Sequence, residues 1–155
     1  MAKEAGYRPL FDRLVDLEPG NTELERPPGR TLDREGLRES VRRELERLLA
    51  TRSSRRASDF EARPLSVLDY GIPDFIHLSA QNPEERQRLE ELIAMSVAAF
   101  EPRLRAVKVE VTPREGERDS LRARIAAELQ VGDVWEPILF PTLVSRGGAK
   151  VGEGL

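Results

Sequence analysis

The sequence contains no cysteine and a single histidine, His77. Without thiols the chain can form no disulfide framework, no thiolate metal site and no cysteine nucleophile. One imidazole excludes a helical zinc motif with two histidines in one chain, and a Ser-His-Asp triad would have to use His77. No apolar run approaches the roughly 18 residues that a membrane span requires, and the first 17 residues are studded with charges. We therefore expect neither a signal peptide nor membrane insertion.

The residues that are present have the composition of one folded domain. The 155 residues are 39% hydrophobic and 34% charged, which supplies one core and leaves much of the chain solvated. The formal net charge is −3, but residues 30–56 hold nine arginines against five acids. Because this segment has no aromatic residue to stack on bases, we interpret it as a solvated helix face and expect no nucleic-acid binding.

The composition divides the chain into three parts. Residues 1–30 predict a short docking helix followed by a linker rich in proline and glycine. Residues 31–145 carry the periodic apolar pattern of the domain itself. Residues 146–155 have little apolar surface and predict a flexible C-terminal tail.

Within the domain, two long helices precede a sheet. The first helix is predicted to begin at Thr31 as its N-cap, and the polar stretch 51–58 predicts a mobile loop after it. Asn82-Pro83-Glu84-Glu85 predicts the start of the second helix, which Pro102 ends. Apolar residues then alternate with period two in three stretches, 107–111, 121–129 and 135–144. This order predicts a two-layer α+β fold in which helices pack on one face of a small antiparallel meander of about three strands.

The last predicted strand contains Pro137 and Pro141. Proline cannot donate to a ladder, so we place this strand at a sheet edge or at a bulge. An unpaired edge can accept a strand from another chain, which makes the edges candidate docking surfaces.

Glu101 is the most interesting carboxylate for acid–base chemistry. It ends an apolar helix, where partial burial would suit a general acid. Arg103 follows two residues later, beyond the break at Pro102, so a structural ion pair or a partner contact explains the same residues without catalysis. His77 is interpreted as a partly buried, hydrogen-bonded side chain.

Three segments in this order resemble a known family. They are Leu10-Phe11-Asp12-Arg13-Leu14, then Ser66-Val67-Leu68-Asp69-Tyr70-Gly71-Ile72-Pro73-Asp74, then Phe100-Glu101-Pro102-Arg103-Leu104 before a Val-x-Val-x-Val strand. Together they are similar to the TssE-type subunit of the bacterial type VI secretion baseplate. That subunit resembles a wedge protein of contractile phage tails whose family has carried a "lysozyme-like" label. The resemblance covers roughly residues 8–145.

The resemblance implies a structural, non-enzymatic role. It implies a cytoplasmic baseplate component, in a baseplate docked at the inner membrane, that contacts other wedge subunits and the first ring of the contractile sheath. No catalytic residue, metal or cofactor is implied. Glu101, Pro102 and Arg103 occupy the positions of the family's Glu-Pro-Arg motif, which is associated with wedge assembly, so they are the implied partner-binding residues.

Two alternatives remain open. The family also resembles bacterial anti-adaptor proteins, so the same fold would suit a soluble regulator that binds one proteolysis adaptor. A peptidoglycan hydrolase follows only from the historical label. We expect Arg103→Glu to leave the fold intact and abolish partner capture, and removal of residues 1–7 to have little effect on folding.

Overall fold

The computed structural model describes residues 5–14, 30–62, 64–75, 81–113, 120–145 and 148–152. In chain order the elements are β1 (Gly6–Tyr7), α1 (Leu10–Leu14), β2 (Thr31–Leu32), α2 (Arg34–Ala50), α3 (Ala57–Ala62), a 3-10 helix (Val67–Asp69), α4 (Pro83–Phe100), β3 (Leu104–Pro113), β4 (Ser120–Val131), β5 (Val134–Ser145) and β6 (Gly148–Val151). Most of the predicted linker and His77 lie outside the described residues.

The main sheet is antiparallel, with the strand order β3-β4-β5-β6. Successive residues of β4 alternate between buried and more exposed positions, so the sheet has one inner and one outer face. Helix α4 packs over β3, and helix α2 packs over β6 and β5. Buried residues of both helices and the inner sheet face form one core, which includes Val41, Leu45, Leu48, Ile93, Val97, Ile125, Leu129 and Phe140. The predicted α+β class is confirmed.

The sheet has one strand more than the predicted three, because part of the expected tail is ordered. Gly148–Val151 forms β6 and pairs with Thr142–Ser145 of β5. Val151 is buried in the core, and its carbonyl accepts a hydrogen bond from Arg42 Nη1 of α2 at 3.0 Å. The prediction of a flexible tail is therefore wrong for residues 148–151. One buried valine, pairing with β5 and side-chain hydrogen bonds from α2 hold a segment whose composition alone predicts no structure.

Each of the two long helices begins at a side-chain N-cap. Helix α4 starts as predicted, since the Asn82 side chain accepts a hydrogen bond from the Glu84 N–H at 3.0 Å. Helix α2 starts two residues later than predicted, because its N-cap is Asp33 in place of Thr31, and Asp33 accepts from the Gly36 N–H at 2.8 Å. Thr31 instead pairs with Tyr7 in a small two-stranded sheet of β1 and β2. The N-terminal pairing overrides the capping preference of the threonine.

The prolines of β5 lie along an open edge. The Pro141 carbonyl accepts from the Gly152 N–H at 2.7 Å, so Pro141 directs its backbone away from β4. Pro137, four residues earlier, has the same orientation, so its missing N–H removes no hydrogen bond between β4 and β5. The pairing of the two strands continues without a bulge. On the side away from β4, residues 134–140 have no described strand beside them, so the predicted edge is confirmed for this part of β5.

The other two sheet edges are partly occupied by helix side chains. On β3, the Val111 N–H donates to Glu90 Oε1 of α4 at 2.8 Å. On β6, the Val151 N–H donates to Glu46 Oε1 at 3.4 Å, and its carbonyl accepts from Arg42. Edges occupied in this way are less able to pair with another chain.

The polar stretch 51–58 is held in place, contrary to the prediction of a mobile loop. Arg52 forms a parallel bridge to Ile72, and the Ser53 hydroxyl donates to the Asp69 carbonyl at 3.0 Å. Arg55 Nε donates to the buried Asp69 carboxylate at 2.8 Å, and α3 begins at Ala57. The anchors belong to a segment 14 to 20 residues further along the chain, so local composition does not reveal them.

Candidate functional site: the junction of helix α4 and strand β3

The Glu-Pro-Arg triplet connects the end of α4 to the start of β3. Glu101 is the C-cap of α4, and its N–H donates to the Val97 carbonyl at 2.9 Å. Pro102 cannot continue the helix, and the Glu101 carbonyl accepts from the Leu104 N–H at 3.1 Å, which closes a tight turn. The Arg103 carbonyl accepts from the Gln130 N–H of β4 at 3.0 Å. The turn is therefore fixed to both layers of the fold.

The Glu101 carboxylate is buried and fully engaged by Arg103. Its side chain is 1% exposed, whereas that of Arg103 is 20% exposed. Arg103 Nε donates to Oε1 at 2.7 Å, Nη2 donates to Oε2 at 2.5 Å, and the backbone N–H adds a bond to Oε1 at 3.2 Å. This is a bidentate guanidinium–carboxylate pair, the geometry that satisfies a buried carboxylate best. The structural ion pair weighed from the sequence is present.

Arg103 also connects the junction to helix α2. Its Nη1 donates to the Ser40 hydroxyl oxygen at 2.9 Å, and Ser40 donates onward to Asp12 Oδ2 of α1 at 2.9 Å. Arg43 and Arg47 donate to the same Asp12 carboxylate at 3.2 and 3.0 Å. The polar connection therefore runs from Glu101 to α1, across residues far apart in sequence.

Asp12 holds α1 onto α2. Its side chain is 7% exposed, and burial alone would raise the pKa of this carboxyl. Hydrogen bonds from Ser40, Arg47 and Arg43 outweigh burial, and the pKa of Asp12 lies below its ordinary value of 3.8. Leu10 and Leu14 of the same helix are exposed. The docking helix predicted from an apolar cluster is thus attached through its aspartate, and these two leucines face outward.

Tyr70 brings the middle segment to the same helix. Its hydroxyl donates to Glu44 Oε1 at 2.9 Å, and Glu44 lies 3.5 Å from Arg47 Nη2. The Tyr70 ring meets Phe100 edge to face, with centroids 5.3 Å apart. Burial and the bond to Glu44 raise the pKa of Tyr70, so the phenol stays protonated and remains a donor.

One face of α2 therefore collects all three segments that carry the resemblance. Its members are four residues at helical spacing, Ser40, Arg43, Glu44 and Arg47. Sequence reasoning missed them as site residues and read them as part of a solvated basic face. One signal was available: Ser40 lies beside Val41 in the buried stripe, where a hydroxyl requires a partner.

Hydrogen bonds and ion pairs within the protein hold this arrangement together. The buried acid is neutralised by its own arginine, and the described part of the chain places no group of three or more His, Asp or Glu side chains so as to hold a metal ion. Pro102 is the exposed member of the triplet. The geometry displays a rigid proline corner on a satisfied ion pair, which suits contact with another protein.

The role of Arg103 in the fold corrects one expectation. Arg103→Glu would place a second carboxylate beside buried Glu101 and remove its cation. The variant is then expected to lose stability, so the fold does not stay intact as the sequence alone suggested. The partner-binding role of Glu101, Pro102 and Arg103 stays a prediction, with Pro102 as its accessible residue.

The fold and the junction define a two-layer α+β protein in which one polar network joins α1, α2 and the turn between α4 and β3. The sequence profile of the family described as baseplate wedge protein gp25 matches residues 35–133, more than half of the chain. The chain belongs to this family of baseplate wedge proteins. The match begins at the second residue of α2, contains α4, the Glu-Pro-Arg junction, β3 and β4, and ends just before β5. No curated protein matches the sequence. None of the described helices combines the length and apolar character needed to cross a membrane.

Proposed function

We propose that this protein is a cytoplasmic, non-enzymatic wedge component of a type VI secretion baseplate, of the TssE type. It would contact other wedge subunits and the first ring of the contractile sheath, with the baseplate docked at the inner membrane. The observation that carries the proposal is the meeting of the three resembling segments on one face of α2. This face and two of the three segments lie in the part of the chain that matches the wedge family, whereas Leu10–Leu14 precedes it. A polar network that joins distant segments preserves the shape of a surface that neighbouring subunits must recognise.

Pro102 is the residue of the triplet that we assign to partner contact. It is exposed, whereas Glu101 is buried and Arg103 is bound to it. Glu101 and Arg103 then act by holding Pro102 in one position. Rigid residues lose little conformational entropy on binding, which favours such a corner as a contact.

The sheath contact is assigned to the open edge of β5. Residues 134–140 present backbone groups away from β4, while the edges at Val111 and Val151 are occupied by helix side chains. Leu139 has the same orientation as Pro141, so its N–H is available at this edge. A sheath strand could pair there through the carbonyls and the remaining N–H groups.

Affinity purification from the protein's own cells, followed by mass spectrometry, tests the proposal. Tagged wild-type protein should recover wedge and sheath proteins. Pro102→Arg should lose the wedge proteins, because it places a long charged side chain on the contact without touching the buried ion pair. Pro83→Arg, at another exposed proline, is the matched control and should retain them. Thermal unfolding of each variant verifies that it is folded.

Leu139→Pro separates the two contacts. It removes one edge donor and should reduce recovery of the sheath while wedge recovery stays unchanged. Recovery of a single protease adaptor would contradict the proposal and support a soluble regulator that binds one adaptor. Cell-wall lysis without recovered partners would support a peptidoglycan hydrolase. If Pro102→Arg recovers the wedge proteins as well as wild type does, the Glu-Pro-Arg triplet is not part of the contact.

A further inference from the structure

The outer face of the sheet, away from both helices, contains an open groove of about 640 Å³ at the end where β6 pairs. Its lining includes Arg122, Arg124, Pro141, Leu143 and Lys150. The volume lies within the range of sites that hold a ligand or a short peptide segment. Apart from Pro141, which lies at the end of the open edge of β5, none of these side chains belongs to that edge or to the Glu-Pro-Arg junction.

The strand register places two cations on either side of an apolar residue. Arg122 of β4 pairs with Leu143 of β5, and Leu143 pairs with Lys150 of β6. All three point to the outer face, since their neighbours Ala123, Thr142 and Val151 are buried. The Leu143 side chain is 39% exposed, so apolar surface is accessible between the two cations. Arg122, Leu143 and Lys150 therefore lie side by side on three adjacent strands, with the leucine between the two cations.

Among the residues that the structure describes, neither of the two cations is neutralised. Arg124, one row away, forms an ion pair with Glu110 at 2.8 Å. Over the described ranges, Arg122 and Lys150 have no ion pair or side-chain hydrogen bond. A pair of unneutralised cations beside exposed apolar surface favours an anionic partner with an apolar side chain of its own.

We propose that this groove binds an extended acidic segment of a partner protein, with an apolar side chain on Leu143 and Pro141 and carboxylates on Arg122 and Lys150. Arg122 and Lys150 are two strand spacings apart, about 10 Å, and carboxylates two residues apart lie on the same face of an extended peptide, about 7 Å from each other. The long side chains of the two cations can reach across the difference. A single small anion would leave the apolar floor uncovered. The groove lining has no aromatic side chain, which makes it a poor platform for bases.

The test uses the full chain and a synthetic peptide, so it does not depend on the proposed function. The probe is a capped octapeptide with four glutamates around two leucines, and its matched control has glutamine at the four acidic positions. Titration calorimetry at low ionic strength should show binding of the acidic peptide that is at least about tenfold tighter than binding of the neutral one, and that weakens with salt. Amide chemical shifts should change most at Leu143, Lys150 and their neighbours.

Variants locate the interaction. Arg122→Gln with Lys150→Gln should weaken binding at least about tenfold, as should Leu143→Ser. The control removes two positive charges elsewhere, Lys108→Gln on β3 and exposed Arg56→Gln, and should leave the affinity within about twofold. Equal binding of the acidic and neutral peptides, or shifts confined to other surfaces, would overturn the proposal. So would tighter binding of a ten-nucleotide single-stranded DNA, or a dimer in solution that covers Leu143.

Discussion

Arg103 donates two side-chain hydrogen bonds to the carboxylate of Glu101, the buried residue two positions before it, and a third to Ser40 of helix α2. The arginine thus satisfies a charge that its own turn buries. It also fixes the turn against a helix 63 residues earlier in the chain. The junction depends on this one side chain for both its electrostatics and its position.

Replacing Arg103 by methionine should therefore be costly. We expect Arg103→Met to lower the free energy of unfolding by about 3–5 kcal/mol, because it leaves a buried carboxylate without its cation. The double variant Glu101→Leu with Arg103→Met should recover much of this loss, since the charge is removed together with its partner. Urea unfolding of both variants and of Glu101→Leu completes a double-mutant cycle. A loss below about 1 kcal/mol in Arg103→Met would contradict the pairing.

The attachment of α1 through Asp12 should depend on pH. The folded-state pKa of Asp12 lies below its ordinary value of 3.8, so the unfolded chain takes up the proton first as the pH falls. The contribution of Asp12 to stability is then complete above about pH 5 and is lost as the pH falls through the folded-state pKa. Asp12→Asn should lower stability at pH 7, and its difference from wild type should shrink below pH 4.

Denaturant unfolding from pH 7 to pH 3 measures this difference. Asp133→Asn, at an exposed acid in the β4–β5 turn, is the control and should track wild type across the series. A constant difference between Asp12→Asn and wild type at every pH would show that the charge of Asp12 is not what attaches α1.

Gly71 should not tolerate a side chain. Its φ is +110°, and a Cβ there would lie 2.6 Å from the Thr51 carbonyl oxygen and 2.9 Å from the Ser53 nitrogen. We expect Gly71→Ala to cost about 2–3 kcal/mol of unfolding free energy, because both the backbone conformation and the bridge between Arg52 and Ile72 resist it. Gly132→Ala is the matched control, with φ of +60° and open space around its Cβ. It should cost only about 1 kcal/mol. Equal losses of unfolding free energy in the two variants would contradict the close approach of the Thr51 carbonyl to Gly71.

Residues 1–7 should matter for folding, which reverses the expectation drawn from their low apolar content. Ala5 is buried, its N–H donates to the Leu32 carbonyl at 2.8 Å, and its carbonyl accepts from the Gly132 N–H at 2.6 Å. Removal of residues 1–7 deletes these bonds and the β1–β2 pairing, and should cost about 2 kcal/mol. That loss corresponds to a fall in Tm of about 4–8 °C. A chain lacking only residues 1–4 keeps every one of these bonds and is the control, and equal Tm values for the two truncations would contradict the prediction.

Periodicity and capping chemistry were sufficient to predict much of the fold. The alternation from Val107 to Val111 and from Leu121 to Leu129 predicted a hairpin, and Asn82 with Pro83 predicted the start of α4, because these signals are local. The register of β6, the anchored stretch after α2 and the burial of Ala5 were not predictable in this way. The anchored stretch and Ala5 depend on partners more than ten residues away in the chain. Strand β6 pairs with its neighbour β5, but its attachment to the fold also depends on Arg42 and Glu46 of the distant helix α2.

The candidate site, too, was predictable from the sequence only in part. The sequence by itself determined the α+β class, the break at Pro102 and the closeness of Glu101 to Arg103, since two residues across a fixed turn have few relative positions. Only the tertiary structure decided that Arg103 is internal and Pro102 external, and that Ser40 and Asp12 complete the network. It also decided that Arg122, Leu143 and Lys150 form one row. Strand pairing and helix packing bring such residues together, and no local spacing encodes those contacts.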